Sequence, residues 1–513
     1  MNRERTGRAA AATLLALVWV AAACGTTVPN ANTAVGGPAG APGFVDTASG
    51  FTSGSELAGT DAVGEVPPDE GATAGTAGSS SPGQVQASGP TILAAPTDGQ
   101  PGSGSSSSSG ASKGLGVTAS TITIGALTAN GAGQYQKKLG FNGATGDQIA
   151  MTQSVVKWLN KRGGIGGRKV KVIFYDMKPE AAVADPSSAY QAACTHFTQD
   201  NKVFAVASIV SHLPPTFYEC LRNQGVVVVA ANPPVSSRFF RQYAGTVYAP
   251  ANPSYTRILA DSVDALWADG WLTASSKVGV VGFDTPDAHA SVTDGLIPAL
   301  KRHGLTLTDG LYPTQDSSAG AAAYSGGVLR FKTQGIDRVF FAPGGQPIYF
   351  ALAAEQQNYH PRYEISTLEY PGPIAANLPA SSLKGSAGLG WSPDLDLDNR
   401  SAAKVSTPAK AECIAAVRDA NEDLATGTTL AIATWICDDW FFLRDVLART
   451  SVIDRTHFRA AAEGLGRSFR AASTFETYFA PNRTSDGAAA YRLNKFNDAC
   501  GCYQYASAIR PMP

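Results

Sequence analysis

The sequence predicts an α/β protein built from two doubly wound lobes of parallel sheet, with helices on both faces of each sheet. From residue 117 onward, segments with the apolar periodicity of strands alternate with segments that have the helical period. The alternation restarts after Tyr248, which indicates a second unit of similar size. A chain of 513 residues has room for two such units, since domains typically contain roughly 100–200 residues.

Residues 1–23 have the features of a bacterial export signal. Arginines precede an apolar run from Ala9 to Ala23, which is shorter than the roughly 20 residues that a membrane-spanning helix needs. Small residues then lead directly to Cys24, an arrangement that resembles a lipobox. We therefore expect Cys24 to be lipidated and to anchor an extracytoplasmic protein to the bacterial cell membrane. The alternative is an ordinary signal peptide cleaved nearby, with Cys24 incidental.

Residues 24–116 are predicted to be a disordered tether. The stretch is dominated by Gly, Ser, Ala, Thr and Pro, and its only aromatic residues are Phe44 and Phe51. It therefore buries too little apolar surface to offset the entropy of the chain. A flexible segment of this length reaches roughly 50–55 Å. With a lipid on Cys24, it would hold the following domain away from the membrane surface.

The first lobe is predicted to span residues 117–250 and to be completed by about 385–485. The apolar run Val226–Ala230 is typical of a strand that is buried on both faces of a sheet. In chain order, the predicted elements are a strand at 121–124, a helix at 145–160, a strand at 169–175, a helix at 187–200, a strand at 203–207, a helix at 213–224 and a strand at 226–230.

The second lobe is predicted to span residues 251–384, with 486–513 as a possible addition. Its predicted helices are 255–269, 292–303, 326–333 and 347–357, and its predicted strands are 278–283, 305–307, 338–342 and 364–368. A strand-like segment at 389–391 follows, and then a helical hairpin at 410–423 and 429–449. These last elements would complete the first lobe if the chain crosses back near 383–391.

Three segments resemble type I periplasmic-binding proteins. They are GVTASTITIG at 116–125, KWLNKRGGIGGRKVKVIFYD at 157–176 and VVVVAANPP at 226–234, and they are most similar to the leucine/isoleucine/valine-binding branch. The resemblance covers most of 116–390. It implies two flavodoxin-like lobes, joined by hinge crossovers, that close on a small solute. It also implies a monomer that delivers this solute to the permease of an ABC importer.

Ligands of open parallel sheets bind beyond the C-terminal ends of the strands. This rule nominates Ser208, Ser211, Ala231, Asn232, Asp284, Gln346 and Tyr370. Ser211 precedes a helix whose N–H groups suit a carboxylate, and the resemblance implies that an amino-acid carboxylate binds in this region. The alternative is that Ser211 only caps the helix. Asp284 or Glu369 is a candidate partner for an ammonium group, the alternative being that each is a solvated loop acid. Tyr370 is a candidate for contact with the apolar part of a solute, or else a residue of the rim or hinge.

The sequence offers no signature of an enzyme, of a metal or cofactor site, or of a nucleic-acid partner. Gly131 and Gly133 lack the third glycine of a dinucleotide fingerprint. The alternating acids of 394–398 lack the glycine and glutamate of an EF-hand loop, which favours a solvated turn. The net charge of −1 gives no support for a polyanionic partner. Solute binding is therefore favoured over a hydrolase or transferase, and a ligand sensor of the same fold stays the alternative to an importer component.

Six cysteines remain beyond Cys24, and an even number in an exported protein predicts disulfides. With a strand order of 2-1-3-4-5, right-handed crossovers place the second and third helices on one face, so that Cys194 and Cys220 can be neighbours. Positions opposite each other in the helical hairpin favour a second pair, and the remaining two cysteines flank Gly501. The resulting pairs are Cys194–Cys220 and Cys413–Cys437, while the sequence leaves the pairing of Cys500 with Cys502 open.

Overall fold

The structure is a computed structural model that describes residues 114–138, 144–211, 213–314, 317–483 and 485–513. The predicted signal peptide, the predicted lipidation site Cys24 and residues 24–113 of the predicted tether lie outside this part of the chain. Gly116 already belongs to the folded body, because its carbonyl accepts a hydrogen bond from the Thr123 amide at 2.9 Å. Within the described ranges, no helix combines the length and the apolar character that crossing a bilayer requires.

The sheet of the first lobe is parallel, with the strand order β2-β1-β3-β4-β5 that the sequence predicted. Its strands are β1 Thr121–Thr128, β2 Lys169–Asp176, β3 Ala205–Ser208, β4 Val227–Ala230 and β5 Val247–Tyr248. Val227 and Val229 face one hydrophobic cluster, whereas Val228 and Ala230 face another on the opposite side. The sheet is therefore covered on both faces, as the continuous apolar run indicated.

Helices follow these strands in the predicted alternation. They are α1 Ala132–Lys138, α2 Gln148–Lys161, α3 Pro179–Ala184, α4 Pro186–Thr195, α5 Pro215–Asn223 and α6 Ser237–Gln242. α2 illustrates why they form: the Asp147 carboxylate accepts a hydrogen bond from the Ala150 amide at 2.8 Å and so caps the helix. Met151, Val155 and Leu159 then repeat at helical spacing and are buried. The cap and the buried stripe together fix this helix on the sheet.

The second lobe repeats the design. Its parallel strands are β6 Val278–Val281, β7 Leu307–Leu311, β8 Arg338–Phe341 and β9 Arg362–Tyr363, in the order β7-β6-β8-β9. Its helices are α7 Tyr255–Ala268, α8 Pro286–Ser291, α9 Ile297–Arg302, α10 Ser317–Gln334, α11 Pro347–Gln356, α12 Pro371–Ala375 and α13 Ala380–Leu383. Clusters of buried apolar side chains again cover both faces. The two doubly wound lobes are therefore present.

The strand predicted at 364–368 is wrong over most of its length. The chain leaves β9 after Tyr363 and forms a single helical turn at Thr367–Glu369. Ser366 and Glu369 cause this turn, because the Glu369 carboxylate accepts a hydrogen bond from the Ser366 amide at 2.8 Å, while the Ser366 hydroxyl accepts one from the Leu368 amide. This capping arrangement favours a turn over an extended strand.

Antiparallel strands extend the second lobe, and the predicted strand-like segment at 389–391 overlaps the first of them. They are β10 Ala387–Gly390, β11 Ala490–Asn497, β12 Cys502–Tyr505 and β13 Arg510–Pro511. β11 pairs with the other three, and Glu364 forms a parallel bridge to Ala387 that connects this sheet to the end of β9. The last residues of the chain therefore pack with the second lobe.

The segment between β10 and β11 completes the first lobe. Its helices are α14 Pro393–Asp396, α15 Asn399–Ala402, α16 Pro408–Val417, α17 Thr429–Leu447 and α18 Arg455–Glu463. The aromatic side chains Trp435 and Phe442 of α17 join the hydrophobic cluster that covers the sheet. Trp391 belongs to the second lobe and Leu395 to the first, so the chain crosses between them rather than near residue 385.

Three chain crossings between the lobes lie side by side, and we call them the hinge crossovers. The first contains Ala249 and Asn252, the second runs from Trp391 to Asp396, and the third contains Ser485. The Ala249 amide donates to the Ser485 carbonyl at 2.6 Å, and Trp391 Nε1 donates to Asn252 Oδ1 at 2.9 Å. The crossovers are thus hydrogen-bonded to one another.

The structure contains the two expected disulfides and also joins Cys500 to Cys502. Cys194–Cys220 joins α4 to α5, and Cys413–Cys437 joins α16 to α17. Cys500–Cys502 closes the turn between β11 and β12. In the first two bridges Cys194, Cys413 and Cys437 are fully buried, whereas Cys500 is exposed.

Candidate functional site

A cavity lies between the two lobes, at residues that follow β4 and β8. Its volume is about 840 Å³, including the space at its mouth, and we call it the inner cavity. This is the edge of the parallel sheets at which α/β proteins bind ligands. The inner cavity is lined by Asn232, Pro234, Tyr255, Gly344, Gly345, Gln346, Pro347, Ile348, Leu368, Glu369, Tyr370, Pro373, Ile374, Asn377 and Thr428.

Asn232 and Tyr370 connect the two lobes across this cavity. Asn232 Nδ2 donates a hydrogen bond to Tyr370 Oη at 2.5 Å, and Ser211 interacts with the same hydroxyl. The other amide atom of Asn232, Oδ1, is buried and makes no hydrogen bond. Because a buried polar atom without a partner is costly, Asn232 presents an acceptor that a donor on a solute would satisfy.

The backbone around Tyr370 explains where its side chain lies. Tyr370 ends the turn at Thr367–Glu369 in the left-handed conformation, with φ 57° and ψ 67°, and Pro371 then begins α12. Non-glycine residues rarely adopt this conformation, so the turn and the packing around it must hold it in place. The Tyr370 ring packs near Trp435 of the first lobe, with ring centroids 6.4 Å apart. Burial raises the pKa of the phenol above its usual range.

Glu369 brings a buried carboxyl group to the wall of the inner cavity. Tyr255 Oη donates to Oε1 at 3.0 Å, while the amide and the hydroxyl of Ser366 donate to Oε2 at 2.8 and 2.5 Å. Burial raises the pKa of Glu369 to about 7, although these donors favour the charged form. The pKa of Glu364 is also raised, first by burial and then by the charge of Glu369. Burial therefore favours the protonated, neutral form of Glu369 below about pH 7.

The structure brings only part of the sequence-predicted site together. Asn232, Gln346 and Tyr370 line the inner cavity, and Ser211 contacts Tyr370 from the first lobe. Ser211 does not cap α5, because Pro214 occupies that position. Ser208 and Ala231 are buried beside the strand ends: the Ser208 hydroxyl donates to the Val210 carbonyl, and the Ala231 carbonyl accepts from Asn252 Nδ2.

Asp284 lies away from the cavity, contrary to the expectation that it could bind an ammonium group. It does not line the inner cavity, its side chain is 59% exposed, and it pairs with His289 Nε2 at 2.8 Å. Its neighbour Thr285 caps α8 instead. The acid that the structure places in the cavity is Glu369, the other candidate for this role.

Several wall residues carried no signal in the sequence. Leu368, Ile374 and Thr428 come from a single turn, a short helix and a loop, where no periodicity indicates which side chain faces inward. Tyr255 was predicted only as the start of a helix. Its position directly after the first hinge crossover was the one clue that its side chain faces the cleft.

The alternating acids of 394–398 are not a solvated turn. Asp394 pairs with Lys410 Nζ at 2.5 Å inside the first lobe, while Asp396 accepts hydrogen bonds from Thr367 and Tyr505 of the second lobe at 2.7 and 2.6 Å. Both carboxyl groups are buried. Among the described residues, no group of three His, Cys, Asp or Glu side chains is placed to hold a metal ion.

Comparison with known proteins identifies the family. The sequence model of a family described as periplasmic binding protein matches residues 121–495, which is most of the chain. The chain belongs to the periplasmic binding protein family. No curated protein matches the chain significantly.

Solved structures of the periplasmic binding protein family share the fold at low sequence identity. An ABC transporter substrate-binding protein from Desulfitobacterium hafniense, in complex with Leu, has a TM-score of 0.51 at 14% identity, over 75% of this chain and 99% of that chain. An R. palustris solute-binding protein in complex with 4-hydroxybenzoate has a TM-score of 0.55 at 13% identity, over 77% and 98%. A fatty acid ABC transporter substrate-binding protein from Thermomonospora curvata has a TM-score of 0.55 at 15% identity, over 79% and 95%.

Proposed function

We propose that the protein is an extracytoplasmic solute-binding protein of an ABC importer, anchored to the cell membrane through a lipid on Cys24. One observation carries the proposal: Asn232 of the first lobe and Tyr370 of the second meet in one cavity at the strand ends, where the hinge crossovers allow the lobes to separate. A solute that contacts both lobes has a higher affinity for the closed form and shifts the population towards it.

The solute is amino-acid-like and binds through an ammonium group. Asn232 Oδ1 is a buried acceptor without a partner, and Glu369 adds a carboxyl group to the same cavity. An ammonium group offers three donors and a positive charge, so it suits both groups. In this role Glu369 replaces Asp284.

The walls of the inner cavity support binding without chemical change. The described lining contains no Ser, Cys, His, Lys or Arg, so the usual nucleophile with an adjacent base is missing from it. Its side chains are mostly proline, aliphatic and amide groups, which are typical of a recognition site. Capture and release of an unaltered solute fit this lining better than hydrolysis or group transfer.

A thermal-shift screen of amino acids, amines and amides on the full chain tests the proposal. A hit is expected to raise the melting temperature, since it binds the native state, and to bind in a 1:1 ratio by calorimetry. Glu369→Gln should weaken an amine by about tenfold or more, whereas the matched change Asp284→Asn should leave its affinity unchanged. If Asp284→Asn weakens the amine and Glu369→Gln does not, Asp284 rather than Glu369 binds the ammonium group. A screen without any hit would remove the support for solute binding.

Two further experiments test the anchor and the partner. Cys24→Ala should release the protein from the membrane fraction, because acyl chains on Cys24 would be its membrane attachment. If the variant stays in that fraction and the wild type incorporates no labelled fatty acid, the lipid anchor is wrong. Stimulation of the ATPase of a reconstituted importer by the loaded protein would support import, and its absence would favour a sensor.

A further inference from the structure

A second cavity adjoins the inner cavity and is formed by both lobes. We call it the outer groove; its volume is about 1620 Å³, including the space open to solvent. The first lobe contributes the start of α5 and the segment through α6, and the second lobe contributes the residues after β6 and the start of α8. Pro234 and Gly344 line the outer groove and the inner cavity alike, so the two spaces adjoin at these residues.

Apolar and aromatic side chains dominate the wall of the outer groove. Tyr218, Phe239 and Tyr243 form a packed trio, with the ring centroids of Phe239 lying 4.9 Å from Tyr218 and 4.5 Å from Tyr243. Phe283 and Pro286 face them from the second lobe. Rigid aromatic walls of this kind bind apolar groups of a ligand through burial of surface.

The charged side chains of the outer groove are already engaged within the protein. Arg238 holds Asp294 through two hydrogen bonds of 2.6 and 2.5 Å. The Asp287 carboxylate accepts hydrogen bonds from the Ser236 amide, at 3.1 Å, and from the Ser236 hydroxyl. No other charged residue lines the groove in the described part of the chain. The groove therefore offers no free charge to a polar solute.

The polar atom without an internal partner, Asn232 Oδ1, lies at the other end, in the inner cavity, beside the Glu369 carboxyl group, which accepts hydrogen bonds from Tyr255 and Ser366. There Asn232 Oδ1 and the Glu369 carboxyl group are acceptors, and no cationic side chain lines the described wall. A head group that donates hydrogen bonds fits this end, whereas a carboxylate would meet acceptors of its own kind. The two adjoining spaces thus differ in the chemistry that they recognise.

We infer that the inner cavity and the outer groove form one binding site for an elongated amphipathic solute, with a donor head at Asn232 and Glu369 and an apolar body along the outer groove. The inference rests on the proposed function and narrows its solute class. A solute of the size of leucine would fill the inner end and leave the predominantly apolar wall of the outer groove uncovered. Each methylene that leaves water adds about fourfold to the affinity, so a longer body is favoured.

Binding of two homologous series to the full chain tests the inference. The probes are straight-chain 1-alkylamines and the matching alkanoates, each with four to ten carbons, and L-leucine serves as the short reference. We expect alkylamine affinity to rise by about fourfold per methylene and each amine to bind more tightly than its matching alkanoate. Alkanoates that bind as tightly as the amines would overturn the assigned head group.

Two tryptophan substitutions on α6 provide the matched comparison. Gln242 lines the mouth of the outer groove, whereas the neighbouring Arg241 is also exposed but lines neither cavity. Gln242→Trp should weaken the ten-carbon amine by about tenfold, the contribution of roughly two methylenes, while Arg241→Trp keeps the wild-type affinity.

The outcomes separate this inference from the proposed function. If L-leucine binds tightly and chain length has no effect, the elongated site is wrong and solute capture stands. If the amines show their length dependence and Gln242→Trp weakens long and short amines equally, the apolar body does not lie in the outer groove. If neither amines nor amino acids bind or stabilise the protein, the proposed function fails together with the inference.

Discussion

Replacing Tyr370 by Phe should loosen the closed arrangement of the lobes. The substitution removes the oxygen that accepts a hydrogen bond from Asn232 Nδ2 at 2.5 Å and that also interacts with Ser211. Asn232 is only 4% exposed, so its amide would lose its partner without gaining water. A buried polar group left in this way costs about 1–3 kcal/mol. In an open form water hydrates the amide, so the ratio of closed to open molecules should fall by about 5- to 150-fold.

The distance between the lobes is the measurement that checks this reasoning. Spin labels at Lys171 and Lys301, which are exposed residues of the first and second lobe, report it by double electron–electron resonance. Tyr370→Phe should broaden the unliganded distance distribution towards longer values and weaken a solute by a similar factor. Tyr190→Phe is the control, because the Tyr190 hydroxyl is buried within the first lobe without a hydrogen bond. If both variants match the wild type, the Tyr370–Asn232 contact does not determine closure.

Three further predictions concern stability. Burial raises the pKa of Asp396 to about 8, well above the value of about 4 that an aspartate has in an unfolded chain. The contribution of this group to the free energy of unfolding is therefore fully present below pH ~4 and is lost as the pH rises towards 8. Asp396→Asn should therefore flatten the pH dependence of the urea midpoint between pH 5 and 8, where the wild type loses about 1.4 kcal/mol per pH unit from this group. Lys410→Met leaves the buried Asp394 without its cation, 2.5 Å away, and should cost about 3–5 kcal/mol in urea unfolding, most of it recovered when Asp394 is also made Leu. Replacing Cys413 and Cys437 by Ala should lower the free energy of unfolding by about 3 kcal/mol in the same assay, because the bridge restricts the conformations of the unfolded chain. An unchanged urea midpoint would contradict this reasoning.

The first lobe could be predicted closely because each of its elements carries a clear local signal in the sequence. Val226–Ala230 is apolar throughout and is buried on both faces, and α2 combines a cap with a regular buried stripe. The secondary structure of the second lobe was harder to predict towards the end of the chain. A local capping interaction between Ser366 and Glu369 turned a predicted strand into a helical turn, and the pairing of β10 with β11 depends on residues about 100 positions apart. Such long-range pairing leaves no periodic signal in either segment.

The sequence likewise identified only some residues of the candidate site. The rule that ligands bind beyond strand ends identified Asn232, Gln346 and Tyr370, which do line the inner cavity. It could not distinguish Asp284 from Thr285, because adjacent residues of a loop point in different directions. The pairing of Tyr370 with Asn232 was also beyond prediction, since it depends on how far the two lobes close.

The disulfides have a consequence for how the chain matures outside the cell. The first lobe is assembled from two stretches that the second lobe separates, yet each bridge closes within a single stretch, over separations of 26, 24 and 2 residues. An oxidant can therefore act on each pair as soon as that stretch emerges, and short loops close at a lower entropic cost than long ones. Among the described residues, no disulfide joins the two distant stretches of the first lobe to each other. They meet where α17 packs on β3 and β4, and this noncovalent contact can form, break and form again during folding.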